Sequence, residues 1–277
     1  MSSTTSKVLT GCGLGCLAFV IIGAALGWMG YRWAQETVAT VETATEAQEE
    51  LDSAFGRVRD FIPPIDPGLP EDRMEVFLAV RESLTVPRNE LAEAVAGIAP
   101  SGGQSGVFSG LRAATAGVSI APRALEFTRA RNDALLAEEM GLGEYMWIYW
   151  MAYHALLGHP PGESELHQSL AQREADGGSS HVQFGGDLDP ERMTWRLRRE
   201  LLAMLRNLAR ELADDPEREE WRREVEAEIA VVEAHPGTVP WQDGLPVMVV
   251  ADLEPYRSRL EASYSSATNI FELLVLD

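Results

Sequence analysis

Residues 8–31, VLTGCGLGCLAFVIIGAALGWMGY, carry no charge and lie between Lys7 and Arg32. As a helix the run would extend roughly 36 Å, enough to cross a hydrocarbon core of about 30 Å. A backbone in lipid must satisfy its own hydrogen bonds, so the stretch is expected to be helical. Trp28, Tyr31 and Trp33 gather at its far end, where amphipathic rings favour the boundary between membrane and water. The expected topology is one transmembrane anchor (8–31) behind a short tail (1–7), with the rest of the chain in water.

Two competing readings of this end are weaker. Leu9-Thr10-Gly11-Cys12 looks like a lipoprotein cleavage box, but here the apolar run follows the box, whereas such a box must follow an apolar run. Ala24, Ala25 and Gly27 could form a signal-peptide processing site, yet the run exceeds the usual ~7–15-residue apolar region and only Lys7 precedes it. An uncleaved anchor is the expectation. Basic residues near the two ends nearly balance, so the short N-terminal tail decides orientation. The large domain is expected outside the cytoplasm, on an inner (plasma) membrane.

Composition narrows the function of the exposed part. All 43 acidic residues follow Tyr31, Lys7 is the only lysine, and the formal net charge is −20. Such a field repels a phosphate backbone, which argues against nucleic-acid partners. Both cysteines, Cys12 and Cys16, sit in the apolar run. The domain beyond it therefore has no disulfide, no thiolate nucleophile and no cysteine-bound metal.

Beyond the anchor the pattern is helical throughout, and the fold class is expected to be all-α with a bundle-like soluble domain. Val38, Val41, Thr45, Gln48, Leu51, Phe55, Val58 and Ile62 recur at steps of three and four. They predict one juxtamembrane helix over 32–62 with a coiled-coil-like seam, stopped at Pro63-Pro64. Membrane-proximal helices follow over 63–99, opened by Pro70-Glu71-Asp72, with Met74, Phe77, Leu78, Arg81 and Leu84 at helical spacing and a break or kink at Pro87. The Gly- and Ser-rich run 100–110 reads as a flexible connector and a candidate boundary. A helical domain is then expected over 111–277. In it, one helix covers 122–140 and ends at Gly141. GEYMWIYWMAYHALL (143–157) forms a buried core helix, and 158–188 a long loop. Asp189-Pro190 opens a helix to about Ala213, and Pro216 opens the next. A last helix spans about 253–264, after which the apolar tail IFELLVL (270–276) must dock somewhere.

Three constellations are candidates for function. In the anchor, Gly23 and Gly27 have the spacing that lets two membrane helices approach closely. With the seam through Val41, Leu51 and Phe55 they point to a homodimer. On the helix after Asp189, Arg192, Arg196, Arg199, Arg206 and Arg210 fall within about 80° of one another at ~100° per residue. The apolar Met193, Leu197, Leu201, Leu205, Leu208 and Leu212 lie broadly opposite. The arginine stripe suits a phosphate or anionic lipid. Intramolecular pairing with Glu217, Glu219, Glu220, Glu224, Glu226 and Glu228 is the favoured reading. Third, Arg131, Asn132, Glu139, Glu144 and His154 flank or sit in the aromatic helix and could form a polar pocket.

Chemical signatures are otherwise lacking. The histidines His154, His159, His167, His181 and His235 make no helical ligand pair, and His159, Glu163, Glu165 and His167 cluster only loosely. Gly103-Gln104-Ser105-Gly106-Val107 is neither a nucleophile elbow nor a phosphate loop. No cofactor and no metal are expected. The function expected is interaction or scaffolding with an unidentified protein partner, and the lipid bilayer as the second contact through 8–31. The alternative is a membrane-tethered enzyme, or a small-ligand or lipid binder using a groove from Tyr145 to His154. Convergence of Glu139, Glu144 and His154 in an enclosed pocket would favour the alternative. A filled core with those groups paired or exposed would favour the first.

Overall fold

Proline and acid set several of the helix starts in this chain. In the computed structural model, which describes residues 43, 45–97, 107–175 and 190–273, α2 (Glu71–Ser83) begins directly after Pro70, and Glu71 and Asp72 occupy its first turn. Acids there oppose the positive end of the helix dipole. Pro190 opens α7 (Pro190–Glu211) in the same manner. Asp215 accepts the Glu217 amide at 3.0 Å and starts the 3-10 turn Pro216–Arg218 that leads into α8 (Glu219–Ala234). The remaining elements are α1 (45–55), α3 (Thr85–Ala96), α4 (Val107–Ala137), α5 (Leu142–Tyr149), α6 (Glu165–Ala175), α9 (Val247–Leu253), α10 (Arg257–Ser263) and α11 (Asn269–Glu272). Among the described residues there is no strand, and no helix is long and apolar enough to cross a membrane. The expected anchor 8–31 lies outside the described residues, as does the first part of the juxtamembrane helix.

One apolar core joins the elements. It runs from Leu51 and Val58 through Phe77, Leu91 and Phe127, the aromatic helix, the inner face of α7, and on to Phe271. All six apolar positions read along α7, from Met193 to Leu212, are buried. At about 1.5–3 kcal/mol for each large side chain removed from water, that face suffices to fix the helix in place. α8 covers α7, with Trp221, Val225 and Val232 turned inward.

Several sequence expectations change. The helix expected through residue 62 ends at 55, because Gly56 adopts φ +81° and its amide returns to the Asp52 carbonyl at 2.9 Å, a left-handed cap. A 3-10 turn, Val58–Asp60, then packs on α5 and α7. The described positions of the seam divide: Gln48, Leu51 and Val58 are buried in this domain, Phe55 and Ile62 are 41% and 44% exposed, and Val38 and Val41 lie outside the described residues. Of the expected 100–110 connector, residues 100–106 lie outside the described ones; α3 and α4, on either side of them, pack along each other and share the core. The connector's last residues, 107–110, are already the start of α4, which carries Pro122 in its interior. The break expected at Pro87 falls earlier, at Leu84, between α2 and α3. α6 lies inside the segment read as a long loop; residues 176–188 are outside the described ones. The last helix is in three parts, with a 3-10 turn, Glu254–Tyr256, between α9 and α10.

The end of α4 also differs. Its left-handed residue is Glu139 (φ +52°), with the Met140 amide reaching back to Leu135 at 2.9 Å. Gly141 and Gly143 serve close approach instead. A Cβ on Gly143 would stand 2.5 Å from Phe61 Cβ and 3.0 Å from the Val58 carbonyl oxygen, and one on Gly141 would stand 2.9 Å from Phe55 Cβ.

Candidate functional site

The aromatic helix departs from α geometry at Trp150, and Trp150–Leu156 is a π-helix. Such turns are rare and often accompany functional sites. Along α5 and this turn, Tyr145, Tyr149 and Tyr153 form a ladder, with ring centroids 6.0 and 4.6 Å apart. All three are buried. The ladder embraces Arg81 of α2, whose guanidinium lies 5.2 Å from the Tyr149 centroid and 5.1 Å from that of Tyr153. Arg81 Nη1 donates to the Tyr145 hydroxyl at 3.0 Å, and Nε to that of Tyr153 at 3.2 Å.

The counter-charge comes from the C-terminal segment. Residues 270–273 of the apolar tail dock with α11, with Ile270, Phe271 and Leu273 in the core and Glu272 carried in with them; residues 274–276 lie outside the described ones. Arg81 and Glu272 both have fully buried side chains (0% exposed) and form an ion pair. Tyr145 donates to Glu272 Oε2 at 2.7 Å, and Arg88 Nε stands 3.6 Å from Oε1. Burial alone would raise the Glu272 pKa. The charges of Arg81 and then Arg88, with the hydrogen bonds from Tyr145 and Arg81, outweigh it and hold the carboxyl below its ordinary value. Arg81 is held well above its ordinary value, because Glu272 and the surrounding tyrosine hydroxyls overcome its desolvation.

Further polar groups close the network. Arg131 of α4 donates to the Glu272 carbonyl at 2.7 Å and to Asn132 Oδ1 at 3.2 and 3.0 Å. Asn132 passes the chain on, donating to Gln48 Oε1 of α1 at 3.1 Å. Tyr149 donates to Asn269 Oδ1 at 2.9 Å, and the Asn269 amide donates to the carbonyls of Pro161 and Glu163. Each of these groups would cost free energy if buried without a partner. Together they tie α1, α2, α4, α5 and α11 to one another.

The residues picked out in sequence scatter among several environments. Arg131 and Asn132 belong to the network above. Glu144 instead pairs with Arg73 in two hydrogen bonds of 2.6 Å, and the Glu139 side chain is exposed while its carbonyl accepts from Arg73 at 3.2 Å. His154 is bonded at Nδ1 to the His159 carbonyl, 2.6 Å away. A carbonyl only accepts, so Nδ1 carries the proton and Nε2 holds a lone pair, which has no partner. Burial lowers the His154 pKa to about 4, against the hydrogen bond to His159. Leu51 and Phe55 are, as described, turned respectively into and away from the core, and Gly23, Gly27 and Val41 lie outside the described residues.

The arginine stripe is engaged within the chain, though seldom with the acids expected. Arg206 meets Glu233 at 2.6 Å, Arg199 meets its neighbour Glu200 at 2.6 Å, and Arg210 donates to the Asn207 side chain. Arg192 and Arg196 also have partners. Glu219 and Glu226 pair with Arg222 on their own helix, and Glu228 accepts the Trp241 amide at 2.6 Å. Trp195 remains 57% exposed beneath the Arg199 guanidinium.

Arg81 and Glu272 were missed as partners, though each left a trace. Arg81 falls on the apolar stripe of its helix, and Glu272 is the one charge within IFELLVL. Charges of opposite sign on two buried faces are candidates to meet. Comparison with protein families, with curated proteins and with solved structures finds no match to this chain.

Proposed function

We propose that this chain is a single-pass, membrane-anchored protein that presents an acidic helical domain outside the cytoplasm and acts by interaction or scaffolding. The observation that carries this reading is the pairing of most polar groups around the aromatic helix. Glu144 is held by Arg73, Arg131 and Asn132 by the C-terminal segment and α1, and Arg81 by Glu272. Removing one partner of such a buried pair is costly, so these groups are committed to the fold. The uncharged run 8–31 supports the anchor, and Gly23 with Gly27 supports self-association within the bilayer. Gln48 and Leu51 are buried in the domain, so the proposed self-association draws on the residues before α1 and on positions such as the exposed Phe55.

The test is made in native membranes. Protease added to intact spheroplasts should digest the domain, and a photocrosslinking residue at Trp195 should give a discrete adduct. Digestion only after lysis would reverse the topology, and no adduct at Trp195 or at other exposed positions would count against interaction as the role. One observation favours a second reading, a small-ligand site beside the π-helical turn: the unpartnered, buried His154 Nε2. A molecule of discrete mass that co-purifies with the protein, and is lost in His154→Leu, would support it.

A further inference from the structure

Three arginines converge on one glutamate. Arg81 and Arg88 face the carboxylate of Glu272, Arg131 holds its backbone carbonyl, and among the described residues no second carboxylate pairs with any of the three. The cluster thus keeps an excess of positive charge in the interior even with Glu272 in place. Its geometry does not depend on Glu272 alone. Arg81 is flanked by the Tyr149 and Tyr153 rings, bonded to both the Tyr145 and Tyr153 hydroxyls, and its Nη2 donates to the Ser263 carbonyl. Arg88 is anchored through Nη2 on the Arg81 carbonyl at 2.9 Å, which leaves its buried Nε without a hydrogen-bond partner and 3.6 Å from the carboxylate. Donors therefore address both oxygens of the anion: Arg81 and Arg88 at one, the Tyr145 hydroxyl at the other.

We propose that Arg81, Arg88 and Tyr145 form a carboxylate-binding site, and that the C-terminal segment docks into it as an internal ligand through Glu272. A guanidinium pair with a hydroxyl donor matches the planar, two-oxygen shape of a carboxylate better than that of a halide. The carrier of the ligand is short. α11 has four residues and follows a turn in which the Thr268 and Asn269 amides return to the Ser265 carbonyl at 3.2 and 3.0 Å. Emptied of its glutamate side chain, the site holds buried guanidinium groups with no counter-ion, a condition that an anion from solution relieves.

The experiment is chemical rescue in the full chain, kept in detergent micelles. Glu272→Ala should melt below the wild type in sodium chloride. Replacing chloride by formate at equal ionic strength should raise its Tm by about 4 °C or more, while the wild type, its site filled, should show no such difference. Equal melting of the variant in the two salts would overturn the proposal. If Glu272→Ala fails to fold in either salt, Glu272→Gln decides, since it keeps the side-chain volume without the charge. Adding Arg88→Gln to it should then raise Tm by removing surplus positive charge. A further fall in Tm would show that Arg88 contributes packing and not anion recognition, and would overturn the proposal.

Discussion

Asn132 Nδ2 donates a hydrogen bond of 3.1 Å to Gln48 Oε1, and both residues are buried. This contact joins α1 to α4 and places α1 against the chain's own core. Gln48 completes the relay by donating to Asp52 at 2.8 Å. A polar residue inside an apolar seam thus has a partner within the domain.

From this contact it follows that Gln48 and Leu51, the buried positions of the seam on α1, stabilise the fold. Leu51, 0% exposed, should cost about 2–5 kcal/mol when replaced by Ala. Gln48→Leu should cost about 1–3 kcal/mol, since Asn132 loses its acceptor. Denaturant unfolding at two protein concentrations provides the check, and the losses should be the same at both.

Acidification should destabilise the domain, and His154 sets much of the slope. Its folded pKa, about 4, lies below its ordinary 6.5, so between these values the unfolded chain binds a proton that the folded one does not. The contribution is fully present above about pH 6.5 and declines as the pH falls towards 4, by on the order of 3 kcal/mol. Glu272, also lowered, adds a loss at more acid pH, as it takes up its proton. Urea unfolding across this range should show the decline, and His154→Phe should flatten its upper part.

Close approach at Gly143 should be sensitive to a single methyl group. Its Cβ would meet the Val58 carbonyl as well as Phe61, and backbone cannot swing aside. Gly143→Ala should cost about 1–3 kcal/mol. Gly237, whose Cβ would find nothing within 4 Å, is the matched control, and Gly237→Ala should change the thermal midpoint little.

Much of this architecture is legible in the sequence, because local chemistry decides it. Pro70, Pro190 and Pro216 mark helix starts, and the Met193-to-Leu212 periodicity gives the buried face of α7. The apolar tail announces that it docks. What escapes is pairing at a distance. Arg81 and Glu272 are separated by 191 positions, and nothing local says which buried charge meets which. The left-handed turn at Gly56 escapes too, since the apolar spacing continues through Val58 and Ile62 and imitates an unbroken helix. Glu139 shows the same limit, for a left-handed cap held by a non-glycine residue leaves no compositional mark.

The central claim is that the polar interior, closed by the C-terminal segment, holds this fold together as one coupled unit. A double-mutant cycle on Arg81 and Glu272 tests it most directly, by equilibrium unfolding of the full chain. Arg81→Met and Glu272→Leu should each cost about 3–5 kcal/mol, because the first removes the main counter-charge of a buried carboxylate and the second leaves Arg81 and Arg88 without theirs. The double variant should lose far less than the two together, giving a coupling of about 2 kcal/mol or more. Losses that add to within about 0.5 kcal/mol would show that the two charges do not depend on each other, and would contradict the account.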